Sequence, residues 1–472
     1  MSVTKSHLVE RLTRKYSHNR HRYCALMKKT FVFTGLAAFG AVSLHASAYA
    51  PDLTTMDASK LWGVSGTLRG FYDDNYNTST PKQGSAGFEF SPAFTFIMPL
   101  QQTELGFRYT YGLYYYQIRE NQGSNPIDQT HEADLWIDHA FTERWEGKVQ
   151  DTFVSAQNPQ LSSSPGVLPY RAEGNNINNI GTVTVHTEWS MLFNTDLGYQ
   201  NNYVAFQQSG STLASFTTPP TPGVPQGATY AGLMNSIGQQ VWLNLNYQYL
   251  EDLSFQLGYQ FGIVDYTGNE PISQYFFGGH PIPGEFYFSN NRNNYSQYVY
   301  VGGNYAATEN LNATVQVGFQ YVTFDNLPAF DSKQDPNQLQ PYADIAVTYT
   351  YLPGSYAQIG FQQSENSAAT ANPDVENGFL TLNQATSVLF ASVNHQITPD
   401  LLASVIGRYQ YSDYLGGAGG AQSWYSLALN LTYSFNQYFS VEAGYNFDYL
   451  SAGASLSQYS RNRVYLGVTA AF

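Results

Sequence analysis

The chain has 472 residues, of which 12% are charged and 16% aromatic, with 35 Asp and Glu against 21 Lys and Arg and a single cysteine. That charged fraction is about half of what a soluble domain carries, while the abundant aromatic residues exclude a disordered chain. One cysteine excludes a disulfide scaffold, and because the sequence has no basic tract, no nucleic-acid partner is expected.

Residues 1–50 are predicted to be a leader. Met27 and two lysines precede an apolar run over residues 31–44, and small residues follow up to Ala50. This pattern predicts a secretory signal peptide cleaved after Ala50, since the apolar run is shorter than the roughly 20 residues of a membrane-spanning helix. Translation is predicted to begin at Met27, the alternative being a long basic region from Met1. The leader holds eight of the 21 basic and one of the 35 acidic residues, so the rest of the chain has a formal net charge of −21.

Residues 51–62 are predicted to be a short periplasmic segment, after which the chain alternates between apolar and polar or small side chains. Residues 253–263 have Leu, Phe, Tyr or Ile at every odd position and Ser, Gln or Gly at every even one. The same period recurs at residues 311–321, 425–435 and 439–449. A two-residue period predicts β-strands, and about ten to twelve residues is the length of a tilted strand that crosses a bilayer.

The connections between these strands alternate between short turns and long loops. Short turns occur at residues 142–144, 251–252 and 353–354. Long loops rich in Gly, Pro, Ser and Asn cover residues 158–176, 209–238, 268–293, 326–340 and 364–383. Short periplasmic turns and long extracellular loops are typical of transmembrane barrels. We therefore predict that residues 63–472 form an all-β, antiparallel up-and-down transmembrane barrel of about 18 strands, or about 16 if residues 356–362 or 385–397 are not strands.

The apolar face of each strand is predicted to point outward to lipid and the polar face into the lumen. A soluble barrel or sandwich also alternates, but its apolar face would lie inside, where about 18 strands enclose more volume than those side chains fill. Its uncharged Gln, Asn, Ser and Thr exterior would aggregate in water. Tyrosine pairs such as Tyr247 with Tyr249 and Tyr409 with Tyr411 are typical of the interface with lipid headgroups.

Carrying the alternation along each strand assigns charged side chains to the lumen. The acidic candidates for lining the pore are Glu89, Glu104, Glu132, Asp134, Asp138, Glu146, Asp196, Asp344, Glu442 and Asp448. The basic candidates are Arg108, Lys148, Arg408, Arg461 and Arg463. The excess of acids predicts a weak selectivity for cations. Arg461 and Arg463 are interpreted either as half of a transverse field at a constriction or as part of an interior salt-bridge network.

A catalytic or metal site was considered for the segment that holds His131, Glu132, Asp134, Asp138 and His139. The two histidines have the opposite parity to the three acids, so strand alternation directs them to the other face of the sheet. We therefore expect no enzymatic activity, no metal and no cofactor.

The last strand alternates Val464, Leu466, Val468 and Ala470 with Tyr, Gly, Thr and Ala, and the chain ends on Phe472. This pattern resembles the assembly signal of bacterial outer-membrane proteins, which the barrel-assembly machinery reads. With the leader and the strand pattern, the chain resembles porin-like outer-membrane families, such as the "Putative beta-barrel porin 2" type. The resemblance implies insertion into outer-membrane lipid and passage of small hydrophilic solutes, and it leaves a homotrimer open. The scarcity of basic residues departs from the general porins, which carry basic ladders in the pore.

The predicted function is passive diffusion of small hydrophilic solutes across the bacterial outer membrane, without a chemical step. The aromatic loop at residues 268–293 is expected to fold and to constrict the lumen. Two alternatives stay open. A structural or surface-binding barrel with a loop-filled lumen would conduct nothing. A polysaccharide or oligosaccharide transporter would use wall aromatics, and Trp136, Trp242, Tyr300 and Trp424 have lumen parity.

Overall fold

A computed structural model describes residues 61–156, 171, 176–207, 228–331, 333–368, 370–371, 376–417, 420–452 and 458–472. The predicted leader, its cleavage site and residues 51–60 of the predicted periplasmic segment lie outside the described residues. So do most of the predicted loops at residues 158–176 and 209–238. Among the described residues, no helix is both long and apolar enough to cross a membrane.

Eighteen strands of the described residues form one sheet. The first nine are β1 (Trp62–Asp73), β2 (Ser85–Pro99), β3 (Thr103–Tyr116), β4 (Ile127–Ala140), β5 (Trp145–Ala156), β6 (Asn176–Glu188), β7 (Phe193–Phe206), β8 (Ser236–Gln248) and β9 (Leu253–Tyr266). A separate hairpin follows, with β10 (Pro271–Phe277) and β11 (His280–Phe288). The other nine are β12 (Asn294–Thr308), β13 (Leu311–Phe324), β14 (Asn337–Leu352), β15 (Ser355–Ser367), β16 (Thr381–Thr398), β17 (Leu401–Gly416), β18 (Ala421–Ser434), β19 (Phe439–Ala452) and β20 (Tyr459–Ala471). Two short helices, α1 (Gln117–Asn121) and α2 (Tyr230–Met234), lie in connections.

The sheet closes into an antiparallel barrel. Consecutive strands pair with each other, β9 pairs with β12 across the hairpin, and β1 pairs with β20. In the β1–β20 pair the backbone N–H of Val64 donates to the carbonyl of Phe472 over 3.1 Å. The predicted transmembrane barrel is confirmed at 18 strands within the described residues, because both uncertain segments lie in strands, residues 356–362 in β15 and 385–397 in β16. β1 begins at Trp62, one residue before the predicted start of the barrel.

The two ends of the barrel differ in the length of their connections. At one end the turns are residues 100–102, 141–144, 189–192, 249–252, 309–310, 353–354, 399–400 and 435–438. In the turn between β14 and β15, Gly354 has a φ of 74°, a left-handed conformation that glycine adopts without a steric penalty. The longer connections, including the β10–β11 hairpin, lie at the other end. Short turns identify the first end as periplasmic and the second as extracellular.

The outer wall of the barrel is apolar and the inner wall polar. On β9, Phe255 and Leu257 are 49% and 50% exposed, whereas Gln256 between them is 5% exposed. At the periplasmic rim, the rings of Trp145 and Trp189 meet edge to face at a centroid distance of 6.0 Å. An exposed apolar wall with interfacial aromatics is the surface that a bilayer requires.

Candidate functional site

The lumen face of β19, β20, β1 and β2 carries a buried ionic network, which we call the seam. Arg69 contacts Glu89 with Nη1 to Oε1 at 2.9 Å and also donates from Nε to Glu442. The second oxygen of Glu89 accepts from Arg463 Nη2 at 3.0 Å. Arg461 donates to Oδ2 of Asp73 from both Nε and Nη2, at 2.8 Å and 2.6 Å. Arg461 and Arg463 therefore belong to an interior salt-bridge network, in which every charge has a partner within hydrogen-bond distance.

Every cation of the seam lies against a carboxylate, and the side chains of the Arg69–Glu89 pair are each only 5% exposed. Placing ions in such a poorly hydrated position costs free energy that their mutual attraction repays only when the geometry is good and the groups are all paired. The seam therefore holds four strands together across the closure of the barrel and presents little net charge to the lumen.

The lumen face of β3, β4 and β5 carries a different cluster, which we call the carboxylate wall. Its members are Glu104, Arg108, Glu132, Asp134, Asp138, Glu146 and Lys148. Arg108 Nη2 lies 2.7 Å from Asp134 Oδ2 and 3.5 Å from Glu132 Oε1, and Lys148 Nζ lies 3.7 Å from Asp138 Oδ1. The side chains of Arg108 and Lys148 are 38% and 43% exposed. Five carboxylates thus share two cations on a surface that water reaches.

The lumen face from β7 to β14 is uncharged along most of its length, and we call it the amide–tyrosine wall. Its members are Gln200, Gln240, Asn244, Gln256, Gln260, Tyr298, Tyr300, Gln316, Gln320 and Tyr342, and all are buried. Gln316 donates to Gln256 over 2.7 Å and accepts from the hydroxyl of Tyr342 over 3.3 Å. Side chains of neighbouring strands hydrogen-bond to one another here, and the wall is uncharged and buried.

Aromatic side chains on the lumen face lie flat over glycines of the next strand. A Cβ added at Gly198 would come within 2.0 Å of the Trp242 ring, and one at Gly258 within 2.1 Å of the Tyr300 ring. Trp242 is 2% exposed and Tyr300 is 4% exposed. These two rings therefore pack on the wall itself, and their faces are not available for stacking on a sugar.

A folded cap lies in the extracellular mouth. It consists of α2, the β10–β11 hairpin, residues 325–331 and 333–336 and residues 376–380, which share one apolar core with the barrel. The barrel contributes inward-facing residues near the tops of its strands, Phe206 on β7, Phe324 on β13 and Leu382 on β16. Six strands separate β7 from β16 in the order of the sheet, so the cap reaches across a large part of the mouth. The aromatic segment at residues 268–293 is folded, as the sequence analysis expected.

The local sequence explains how the cap elements form. In the β10–β11 turn, Gly278 and Gly279 have φ values of 57° and 81°, the backbone of a two-residue type I′ turn. Thr229 caps α2, because its hydroxyl accepts the backbone N–H of Gly232 at 2.9 Å. The Tyr287 hydroxyl donates to the carbonyl of Gly378 over 2.8 Å and so joins the hairpin to residues 376–380.

Arg292, in the 3-10 turn Ser289–Arg292 before β12, connects three parts of this region. Its Nε donates to the carbonyl of Leu382 at 3.0 Å, Nη1 to that of Leu233 at 3.1 Å and Nη2 to that of Ala368 at 2.6 Å. The side chain is 0% exposed, and its guanidinium carbon lies 4.9 Å from the centre of the Tyr266 ring. One buried cation thus joins α2, β16 and the end of β15 through backbone carbonyls.

We expect the cap to loosen as the pH rises from about 4 to about 6. Burial raises the pKa of the Asp331 carboxyl from the ordinary 3.8 to about 6, and its Oδ2 has no hydrogen-bond partner. The closed cap holds a proton that an open cap releases in this pH range, so the contribution of this carboxyl to the stability of the cap is full below the ordinary pKa and is lost as the pH rises through about 6. Limited proteolysis of the detergent-solubilised barrel across this range measures the effect. Asp331→Asn should make cleavage independent of pH, and an unchanged pH profile would rule out this carboxyl as the cause.

All fifteen charged residues assigned to the lumen from the sequence lie on strands at inward-facing positions. Six lie in the seam or on its side of the barrel. Glu89, Glu442, Arg461 and Arg463 belong to the seam, Asp448 lies beside it on β19, and Arg408 lies two strands away on β17. Seven form the carboxylate wall. The other two are Asp196, which lies 2.6 Å from His186 Nδ1, and Asp344, beside the amide–tyrosine wall. The structure thus brings together the acids of β3 to β5 and separates them from the arginines of β20.

The histidines near the carboxylate wall lie on the opposite face of the sheet. His131 Nδ1 is 2.8 Å from the hydroxyl of Tyr109, and His139 Nδ1 is 2.8 Å from that of Thr103, both on the outer face. Glu132, which follows His131 directly, contacts Arg108 in the lumen. In the described part of the chain, no group of three or more His, Cys, Asp or Glu side chains is placed to hold a metal ion.

The residues of the predicted assembly signal lie on β20 and just beyond it. Val464, Leu466 and Val468 point outward and are 49%, 70% and 51% exposed. Phe472 stacks on Tyr438 at a centroid distance of 5.8 Å at the periplasmic rim, and Ala470 pairs with Phe439 of β19. Recognition of this strand by the assembly machinery stays a proposal.

Arg69 and the base of the cap are functional features that the sequence pattern did not predict. Arg69 has lumen parity on β1, but Gly66 and Gly70 hold outward positions and Phe71 an inward one, so the alternation there is weak. Phe206 and Phe324, with Val204 and Val322 before them, are apolar at lumen parity on strands whose more central inward residues are polar or glycine. Apolar residues at inward positions near the extracellular ends of strands are the sequence signal that could have revealed the cap.

One protein family matches part of this sequence. The sequence model of the family "Putative beta-barrel porin 2" matches residues 357–472, from within β15 to the end of the chain. No curated protein matches the sequence. This family match confirms the predicted resemblance to porin-like barrels and the predicted location in the bacterial outer membrane.

Several solved structures match this chain over most of its length, at low sequence identity. OccAB4 of Acinetobacter baumannii has a TM-score of 0.41 and 11% identity, over 88% of this chain and 99% of that one. OccK8 (OprE) of Pseudomonas aeruginosa has a TM-score of 0.40 and 14% identity, over 87% of this chain and 98% of that one. The siderophore receptor PirA of Acinetobacter baumannii has a TM-score of 0.43 and 9% identity, over 88% of this chain and 81% of that one.

Proposed function

We propose that this porin-like barrel of the bacterial outer membrane is a channel through which small hydrophilic solutes diffuse passively, with a weak preference for cations. The carboxylate wall is the observation that carries the proposal. Its five acids outnumber its two cations, and its side chains are hydrated, so it holds a negative potential in the lumen. Acid-rich pore walls raise the local concentration of cations and lower that of anions.

The other walls add little to this selectivity. The seam is buried and its charges are paired, and the amide–tyrosine wall is neutral. Within the carboxylate wall, Glu104, Asp138 and Glu146 lie close to the periplasmic ends of their strands. Salt screens exposed charges over a Debye length of about 8 Å at physiological ionic strength. The preference for cations should therefore be modest and should fall as the salt concentration rises.

We expect the variant Glu104→Gln/Asp138→Asn/Glu146→Gln to reduce the ratio of potassium to chloride permeability about two-fold, because it removes three of the negative charges that attract cations. The reversal potential of the purified protein in a planar bilayer, under a potassium chloride gradient, measures this ratio. Asp265→Asn is the matched control, because this acid is exposed on the outer face at the extracellular end of β9. An anion preference in the native protein would contradict the role of the carboxylate wall, and the absence of ohmic conductance would contradict the channel.

The cap favours a second candidate function, a barrel whose lumen is filled by its own loops. Its apolar core rests on inward-facing residues of β7, β13 and β16, so it occupies part of the path that a solute would take. Such a barrel would bind or support other components at the cell surface and conduct nothing. The same bilayer recording separates the two functions, because a loop-filled barrel gives no current in the native form.

A further inference from the structure

We propose that the outer wall of β5 to β8 is a contact surface between two copies of this chain within the membrane. A continuous row of residues that lie directly opposite one another on neighbouring strands crosses this sector and consists of Asp151, Gly181, Asn201 and Gln239. Asn179 lies beside the row and donates from Nδ2 to Asp151 Oδ1 at 3.0 Å. We call these five residues the polar row.

The polar row faces outward. Thr152, next to Asp151, donates to Asp134 in the lumen over 2.9 Å, which places Asp151 on the opposite face. Val149, two residues before Asp151, is 39% exposed, and Val241, two residues after Gln239, is 45% exposed. The side chains of the row therefore share the face that meets lipid.

The polar row also lies within the apolar band rather than at its edge. Asp151 follows Trp145 of the periplasmic rim by six residues, a rise of about 15 Å along a tilted strand, in a band about 25 Å tall. Beyond the row the outward positions are aromatic or aliphatic again, at Phe153, Tyr203 and Ile237. The row thus interrupts an apolar surface that continues above and below it.

The opposite sector of the barrel has no such interruption among its described residues. On β18 the successive outward residues are Leu431, Leu429, Leu427 and Tyr425, and on the neighbouring strand β17 they include Val405 and Tyr409. Leu429 is about as far from its periplasmic turn as Asp151 is from its own. A row of polar residues in one sector that is absent from the opposite sector indicates a local partner rather than a general property of the outer wall.

Acyl chains cannot pair with the groups of the polar row. A carboxylate and amides held against hydrocarbon cost free energy unless another molecule supplies hydrogen bonds. The row contains an acceptor in Asp151 and amides that both donate and accept in Asn179, Asn201 and Gln239. A surface that carries both kinds of group can satisfy a second copy of itself, as symmetric oligomers require. Gly181, at the centre of the row, has no side chain and lets the backbones of two barrels approach.

Cysteine cross-linking in intact outer membranes tests this proposal. Its result does not depend on whether the barrel conducts. Asn201→Cys and Leu429→Cys each introduce one cysteine into a chain whose single natural cysteine, Cys24, lies in the predicted leader. After mild oxidation we expect a disulfide-linked dimer from Asn201→Cys and monomer from Leu429→Cys. Equal dimer yields from both variants, monomer from both, or a cross-link from Asn201→Cys to a different protein would overturn the proposal.

The mass of the detergent-solubilised native complex gives a second measurement. Light scattering should show the native chain as an oligomer and Asp151→Leu as a monomer, because leucine removes the only carboxyl group of the polar row. Resistance to unfolding by detergent at room temperature shows whether the variant barrel is intact. A native chain that is monomeric in detergent and uncross-linked in the membrane, or an intact Asp151→Leu barrel that stays oligomeric, would contradict the contact surface.

Discussion

Arg292→Met should open the extracellular mouth and raise the single-channel conductance about two-fold or more, because a destabilised cap opens more often and leaves the solute path. The substitution removes the three hydrogen bonds that Arg292 donates to the carbonyls of Leu233, Ala368 and Leu382. Each buried carbonyl that is left unpaired costs about 1–3 kcal/mol, so the closed cap loses several kcal/mol.

Conductance in planar bilayers and limited proteolysis of the cap measure this effect together. Lys333→Met is the matched control, because Lys333 is a cation of the same cap but is exposed. We expect the control to conduct as the native protein does. If Arg292→Met has native conductance and a native cleavage pattern, the cap does not depend on this guanidinium. If the native barrel is closed and only the variant conducts, the loop-filled barrel is the correct function.

Arg69→Met is expected to destabilise the whole barrel by about 3–5 kcal/mol, because it leaves Glu89 and Glu442 buried without their shared cation. Both carboxylates are about 4% exposed, and Arg69 lies between them. The urea concentration at the midpoint of unfolding in detergent micelles, followed by tryptophan fluorescence, measures the loss.

The control for this prediction is Arg108→Met, which removes a similar ion pair from the hydrated carboxylate wall. The Arg108 side chain is 38% exposed, so its pairing with Asp134 should contribute only about 0–1 kcal/mol. A comparable loss of stability in both variants would contradict the distinction between the seam and the carboxylate wall. Restoring neutrality with Arg69→Met/Glu442→Gln should recover part of the lost stability.

The alternation of side chains was sufficient to predict the barrel and the faces of its strands. A strand in a bilayer must be apolar outward along its length, so residues such as Phe255 and Gln256 identify their own orientation. Orientation does not identify partners, however. The sequence placed Glu89 and Arg463 in the lumen, but only the closure of β1 on β20 shows that they meet.

The cap and the polar row could not be predicted from strand periodicity, because each breaks the pattern that reveals the strands. Phe206 and Phe324 are apolar at inward positions, since another part of the chain covers them. Asp151 and Asn201 are polar at outward positions, where the pattern expects Leu or Tyr. Departures of this kind depend on what lies against the wall, which is not encoded in the strand itself.

The seam also has a consequence for the order in which the barrel forms. The Arg69–Glu442 contact joins residues 373 positions apart in sequence, and the Arg461–Asp73 contact joins residues 388 positions apart. Contacts between such distant segments form late, because a long loop must close first. Until β20 docks on β1, Asp73 lacks the cation that it meets in the closed barrel. A chain inserted without its final strand would therefore retain an unneutralised carboxylate on its inner wall, and this penalty favours release or degradation of incomplete barrels over their accumulation.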